Sequence, residues 1–217
     1  MQAASPAPAA PMPPGWVVVF LSLLLGVQPL ATDLYLPALP AITAAFDAPM
    51  AKVQATLTAL LLSFGAAQLV WGPVSDRYGR RPVLLAGLAA YTLASIGNAL
   101  AASIEQLILW RIVQGAAMGA AVMGARAIVR DLYQPVEGAR MMSKGLSGLG
   151  IFACISGPLG GWLTEHFGWR VTLAALAVFS AVALALVALR FRETLAARNP
   201  RALQPGEMLT IWSRIAR

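Results

Sequence analysis

Long apolar stretches alternate with short polar ones along nearly the whole chain. Runs of about twenty mostly uncharged residues recur at Trp16–Pro37, Gln54–Trp71, Pro82–Ala102, Ile104–Ile128, Met141–Leu163 and Trp169–Leu189. A helix rises about 1.5 Å per residue, so each run is long enough to cross, or nearly cross, the hydrocarbon of a bilayer. The pattern predicts an all-α membrane protein, a bundle of six transmembrane helices. Pro29 falls inside the first run and predicts a kink there, while Pro37 and Pro40 are expected to close that helix. The Ala/Pro-rich start, residues 1–15, reads as a disordered tail. Residues 191–217 read as a basic linker. Within it Met208, Leu209, Trp212 and Ile215 fall on one helical stripe, which fits either an interfacial amphipathic helix or a frayed tail.

Charge orients the bundle. Arg77, Arg80, Arg81, Arg126, Arg130, Arg140, Lys144 and Arg190 fall on one set of connections; Lys52 and Arg170, with Asp47, Glu105 and Glu165, fall on the other. The positive-inside rule then places both termini in the cytoplasm. Composition agrees: 59% of the 217 residues are hydrophobic and 12% charged, and mean hydropathy is +0.70. The net charge of +7 is explained by these loops, and no aromatic-basic face is present to hold a nucleic acid. The lone Cys154 lies in an apolar run and the lone His166 in an outer connection, so no metal site is expected. An intramembrane serine protease would need a histidine at membrane depth, which His166 does not supply.

Two charges sit inside the runs. Asp33 lies about four residues before Pro37, and Arg111 about seven after Ile104, which puts both within roughly 6–11 Å of the outer boundary and makes a pair geometrically possible. An ionised residue at membrane depth costs a few kcal/mol and needs a partner or a task. A carboxylate in a half-dry cavity beside a guanidinium is suited to loading and releasing a proton. The alternatives are a headgroup-solvated carboxylate and an arginine that snorkels outward. Gln114, one turn beyond Arg111, is placed to hydrogen-bond in the same space. Tyr35, Gln68, Asn98 and Met118 join it as candidate cavity-facing contacts of a generic amphipathic kind.

Between the second and third runs lies Gly72-Pro-Val-Ser-Asp-Arg-Tyr-Gly-Arg-Arg-Pro82. Its Gly72, Asp76, Arg77, Gly79, Arg80 and Arg81 match the Gly-x-x-x-Asp-Arg-x-Gly-Arg-Arg pattern of the loop between spans 2 and 3 of the major facilitator superfamily. Leu30-Ala-Thr-Asp33-Leu-Tyr35-Leu-Pro37 is similar to the span-1 motif of its twelve-helix drug:proton antiporters, of the bicyclomycin/chloramphenicol-resistance (Bcr/CflA) type. Leu109-Trp-Arg111-Ile-Val-Gln114-Gly115 resembles the span-4 motif of the superfamily. Ser156-Gly157-Pro158-Leu159-Gly160-Gly161 is similar to the antiporter signature of span 5, with one residue fewer between the proline and the glycine pair. A bend and a small-residue packing face both remain open for Gly157, Pro158, Gly160 and Gly161.

The resemblance implies a transporter rather than an enzyme, without cofactor, that exports drugs or small metabolites against protons from a bacterial inner membrane. Asp33 would be the protonation site and Arg111 its partner, and Asp131 would pair with Arg80 or Arg77 in a cytoplasmic gate. It also implies twelve spans in two halves, of which this chain has the N-terminal six. Its partners would then be membrane lipids, the small-molecule substrate and a missing C-terminal half, or a second copy in a homodimer. A carrier for one metabolite and a non-transporting half remain as alternatives.

Overall fold

The computed structural model describes residues 12–200 and 202–203. They form α1 (Pro14–Asp33), a 3-10 turn (Leu36–Ala38), α2 (Leu39–Phe46), α3 (Met50–Tyr78), α4 (Arg80–Ala99), α5 (Ile104–Leu132), α6 (Pro135–Phe167) and α7 (Trp169–Arg190). Among the described residues, six helical units are long and apolar enough to cross a membrane, the first being α1 and α2 taken together. The helical stripe expected over residues 205–217, and most of the expected tail, lie outside the described residues.

The helices outrun their apolar cores. α3 and α5 have 29 residues and α6 has 33, about 44–50 Å against a hydrocarbon layer of about 30 Å. Several expected loops are therefore helix. Only Gly79, at φ +104°, separates α3 from α4, and only Gly168, at φ +84°, separates α6 from α7. A residue with a Cβ is strained at such angles, so two successive helices reverse direction around single glycines.

The first span differs from the expectation. Pro37 and Pro40 do not close it; they open the next two segments, at the second position of the 3-10 turn and of α2. A proline is tolerated in a first turn, where its missing N–H has no role. The same absence breaks α1, because Pro37 cannot donate to the carbonyl of Asp33 four residues back. Pro29 stays within continuous helix. Asp33 thus sits at a break inside the span, deeper than Pro37 suggested, with all of α2 still to follow.

α5 is the most buried helix. It packs on α3 and α4, α1 packs on α6, and α4 on α7, with α1 also touching α5. Small residues let the backbones approach: a Cβ on Gly115 would run into the Leu60 carbonyl of α3, and one on Gly87 would come within 2.5 Å of Ala120. α3 and α6 are the least covered, exposing Leu61, Leu62, Leu69 and Val70 on one and Ile151, Ile155, Leu159 and Trp162 on the other. Beyond α7 the chain turns back along the basic end of the bundle. Phe191 is buried edge-on against Phe20, with ring centroids 5.5 Å apart, and the Asn199 amide donates to the Asp76 carbonyl at 2.9 Å.

Candidate functional site

Polar residues gather inside the bundle where α1 breaks. Arg111 of α5 is wholly buried. Its Nη1 donates to the Ala31 carbonyl (3.1 Å) and to Gln114 Oε1 (3.0 Å), and its Cζ lies 3.7 Å above the Tyr35 ring. Ala31 is in the last turn of α1, where carbonyls lack helical partners and accept from elsewhere. Tyr35 in turn shares a hydrogen bond with Thr56 of α3 (2.6 Å), whose hydroxyl also reaches the Val53 carbonyl. Gln114 donates to Ser95 (2.8 Å) and accepts from Asn98 (3.0 Å), both on α4. One network therefore ties α1, α3, α4 and α5 together.

It is not fully satisfied. Nε and Nη2 of Arg111, Oδ1 of Asn98 and the Tyr91 hydroxyl are buried without a hydrogen-bond partner. Orphaned buried polar atoms cost free energy, so each calls for a partner from water, an ion or another group. The aromatic face under Arg111 offsets part of its desolvation, a contact worth roughly 2 kcal/mol in a dry environment.

Asp33 and Arg111 do not pair, which corrects the expected geometry. Asp33 is half-buried and accepts from Thr32 Oγ1 at 2.8 Å. The two residues do share a level, since Arg111 touches positions on either side of Asp33. Tyr35, two residues on, takes the side facing Arg111, and residues two apart do not share a helix face. The expected cavity contacts need correction too. Tyr35, Asn98, Gln114 and Met118 are fully enclosed by the bundle's own helices, and half-buried Gln68 accepts from Arg126 at 3.3 Å. Thr56 and Ser95 belong to the network without having been expected, and the buried Tyr91, whose carbonyl accepts from Ser95 at 2.8 Å, lies beside it. Their signal was a polar atom in an apolar run, with Tyr91, Ser95 and Asn98 at helical spacing along α4.

At the basic end the pairing expected of Asp131 falls to Arg80. Its side chain is 1% exposed and reaches Asp131 through Nε (2.8 Å), Asp76 through Nη2 (2.7 Å) and Ser75 through Nη1 (2.9 Å). Arg130 adds a contact to Asp76 at 3.4 Å. Arg77 is exposed, with its guanidinium 5.5 Å from the adjacent Tyr78 ring, and makes no ion pair among the described residues. Arg81 donates to the Ala188 carbonyl at 2.8 Å. Gly72 is buried, with Met123 against it.

Glu193 was not expected at all. Its Oε1 accepts from the amides of Arg80 (2.9 Å), Thr194 (3.1 Å) and Leu195 (3.1 Å), and its Oε2 from the amide of Arg81 (3.1 Å). A carboxylate here satisfies the bare N–H groups and positive dipole end of α4. It leaves no room for a Cβ at Gly79, which would lie 2.6 Å from Oε2. Thr194 then reaches Asp131 at 3.4 Å, so the segment after α7 joins the Arg80 cluster.

The span-5 motif resolves into packing at one position. A Cβ on Gly160 would run into the Leu34 carbonyl, just past Asp33, whereas Gly157 faces open space. Pro158 lies within continuous α6, and Gly161 approaches Pro37. His166 is exposed in the last turn of α6, stacked on Trp162 with ring centroids 5.2 Å apart.

The profile of the Major Facilitator Superfamily matches residues 21–217. The chain belongs to this family. It is a family of membrane transporters, not enzymes. The chain is 36% identical over 193 residues to a chloramphenicol resistance protein of Pseudomonas aeruginosa, an alignment covering 88% of this chain and 46% of that protein. It is 32% identical over 165 residues to multidrug resistance protein D of Escherichia coli, covering 76% of this chain and 42% of the relative. The chain therefore spans less than half the length of these relatives. In three dimensions it is similar to the human organic anion transporter MFSD10, with a TM-score of 0.67, 24% identity and coverage of 94% of this chain and 56% of the other. It is likewise similar to a bacterial homologue of the lysosomal transporter Spinster, with a TM-score of 0.71, 18% identity and coverage of 89% and 46%. These two likenesses show the fold: six helices corresponding to about half of a larger transporter.

Proposed function

We propose that this chain is the N-terminal six-helix half of a proton-coupled exporter of drugs or small metabolites, of the Bcr/CflA type. It would sit in a bacterial inner membrane with both termini in the cytoplasm. The observation that carries the reading is a half-buried carboxylate, Asp33, at a helix break whose flanking residues are held by a wholly buried arginine, Arg111. Arginine does not release its proton, so Asp33 is the group that loads and unloads one, while Arg111 holds the break on either side of it. A proton taken from outside neutralises Asp33 and favours substrate release. Return to the cytoplasm-facing state frees it again. The drug-resistance names of the relatives in Pseudomonas and Escherichia support small-molecule export.

At the cytoplasmic end, Arg80 with Asp76 and Asp131 forms the latch of a gate whose other side belongs to the second half. Alternating access needs both halves, with substrate between them. The uncovered faces of α3 and α6 are the surfaces the second half occupies.

Proton-driven dye or drug uptake into inverted membrane vesicles tests the reading. Samples contain this chain alone, this chain with a C-terminal half from a matched relative, and that pair carrying Asp33→Asn. Uptake by the pair, abolished by Asp33→Asn, is the expected result. Uptake that survives Asp33→Asn with its proton dependence intact sinks the assignment of Asp33.

A further inference from the structure

A second charged locus lies where α7 ends beside the start of α4. A groove of about 430 Å³ is lined by Arg81, Leu189, Arg190, Phe191, Arg192 and Glu193. Three arginines thus face one carboxylate, and that carboxylate is already held by four backbone amides. Among the described residues none of the three is ion-paired, in contrast to Arg80 and Arg130 nearby, which share Asp76 and Asp131. Arg81 spends Nη2 on the Ala188 carbonyl and leaves Nε buried without a partner. Arg190 lies over the Trp16 ring at 5.3 Å, and Arg192 makes no hydrogen bond or ion pair among the described residues.

The groove opens onto an apolar surface. Val171, Val178, Val182 and Leu189 are exposed along one stripe of α7, and Leu189, at the mouth, is 78% exposed. A free anion in water has no use for such a stripe, whereas an acyl chain does. Trp16 beside Arg190 is the kind of side chain that settles at headgroup level. Arginines bind phosphate oxygens through paired N–H donors, and basic pockets between helices at the cytoplasmic face suit anionic headgroups.

We propose that this groove binds the phosphate headgroup of an anionic glycerophospholipid, with its acyl chains along α7. That this lipid belongs to the inner leaflet rests on the cytoplasmic orientation proposed above; the site itself does not. Bound there, the lipid bridges Arg81 at the start of α4 to Arg190 at the end of α7 and to Arg192 just beyond it. It would therefore brace the turn that carries the Arg80 latch.

Native mass spectrometry of the full chain from micelles tests this without any transport assay. Micelles would be titrated with phosphatidylglycerol, phosphatidylcholine or inorganic phosphate. One phosphatidylglycerol is expected to be retained in preference to phosphatidylcholine. The double variant Arg190→Gln/Arg192→Gln should weaken retention about twenty- to thirty-fold, from roughly one kcal/mol per arginine near an anionic surface. Arg140→Gln/Lys144→Gln, which removes the same charge from an exposed stretch of α6, should leave it unchanged. Equal loss in both doubles, equal retention of phosphatidylcholine by the wild type, or displacement by millimolar inorganic phosphate would each overturn the proposal. Should the glutamine pair not fold, Arg190→Lys/Arg192→Lys keeps the charge, and the wild-type preference between the two lipids still decides.

Discussion

At the residue scale, the chemistry of this chain is set by which arginines have partners. Arg111 is buried against a carbonyl and an aromatic face, a pairing a lysine cannot reproduce because it lacks the planar fork and the stacking surface. In a reconstituted pair of halves, Arg111→Lys should lose at least about tenfold in transport, in line with the loss of a buried charged hydrogen bond. Tyr35→Phe keeps the ring under Arg111 and removes only the bond to Thr56, about 1 kcal/mol, and should transport nearly normally. Equal loss in the two variants would mean that the hydroxyl, not the ring, is what Arg111 needs. Arg80 is a different case, since it is buried with two carboxylates. Arg80→Ala leaves Asp131 with only a long contact to Arg130 and should destabilise the bundle by about 3 kcal/mol, read as a lowered thermal midpoint in detergent. Asp33 and Arg111 were legible in the sequence as charges inside apolar runs at a common level. Their failure to pair was not, because the rotation of α1 about its axis is fixed by the break after Asp33 and by Tyr35 taking the inward face.

At the element scale, prolines and glycines set the boundaries, and here the sequence was only half readable. Six spans followed from apolar run length alone. Their ends did not, because a basic loop and a basic helix extension have the same composition. The turn at Gly79 illustrates this: its neighbours Arg80 and Arg81 read as loop and open the first turn of α4, held by a carboxylate more than a hundred residues away in sequence. No local pattern around Arg80 reports the presence of Glu193. The same limit applied to the span-5 motif, whose shortened spacing left a bend and a packing face equally open. Contacts decide for Gly160, and they make a contrast that is easy to measure. Gly160→Ala forces a methyl into the Leu34 carbonyl, backbone that cannot rotate away, and should cost about 1–3 kcal/mol of stability. Gly157→Ala, three residues earlier on the same helix, meets nothing within 4 Å and should leave stability unchanged or raise it by up to about 1 kcal/mol. Comparable losses in both would show that the motif acts through helix bending and not through the contact with α1.

At the scale of the whole molecule, the helices are unevenly covered. α5 is enclosed, whereas α3 and α6 carry large apolar side chains on open faces. A lipid-facing helix and a helix awaiting protein look alike by hydropathy, so the sequence alone does not separate them. The chain contains its own reporter: Cys154, its single cysteine, is exposed on α6. If α6 docks against a second half, Cys154 becomes shielded when that half is present. Alkylation by a membrane-permeant maleimide should then slow several-fold on co-expression of a matched C-terminal half, and the protection should disappear when the half is omitted. A homodimer predicts something else, protection that grows with the concentration of this chain alone. An unchanged rate in every sample would place α6 against lipid, and the second half would have to dock elsewhere on the bundle.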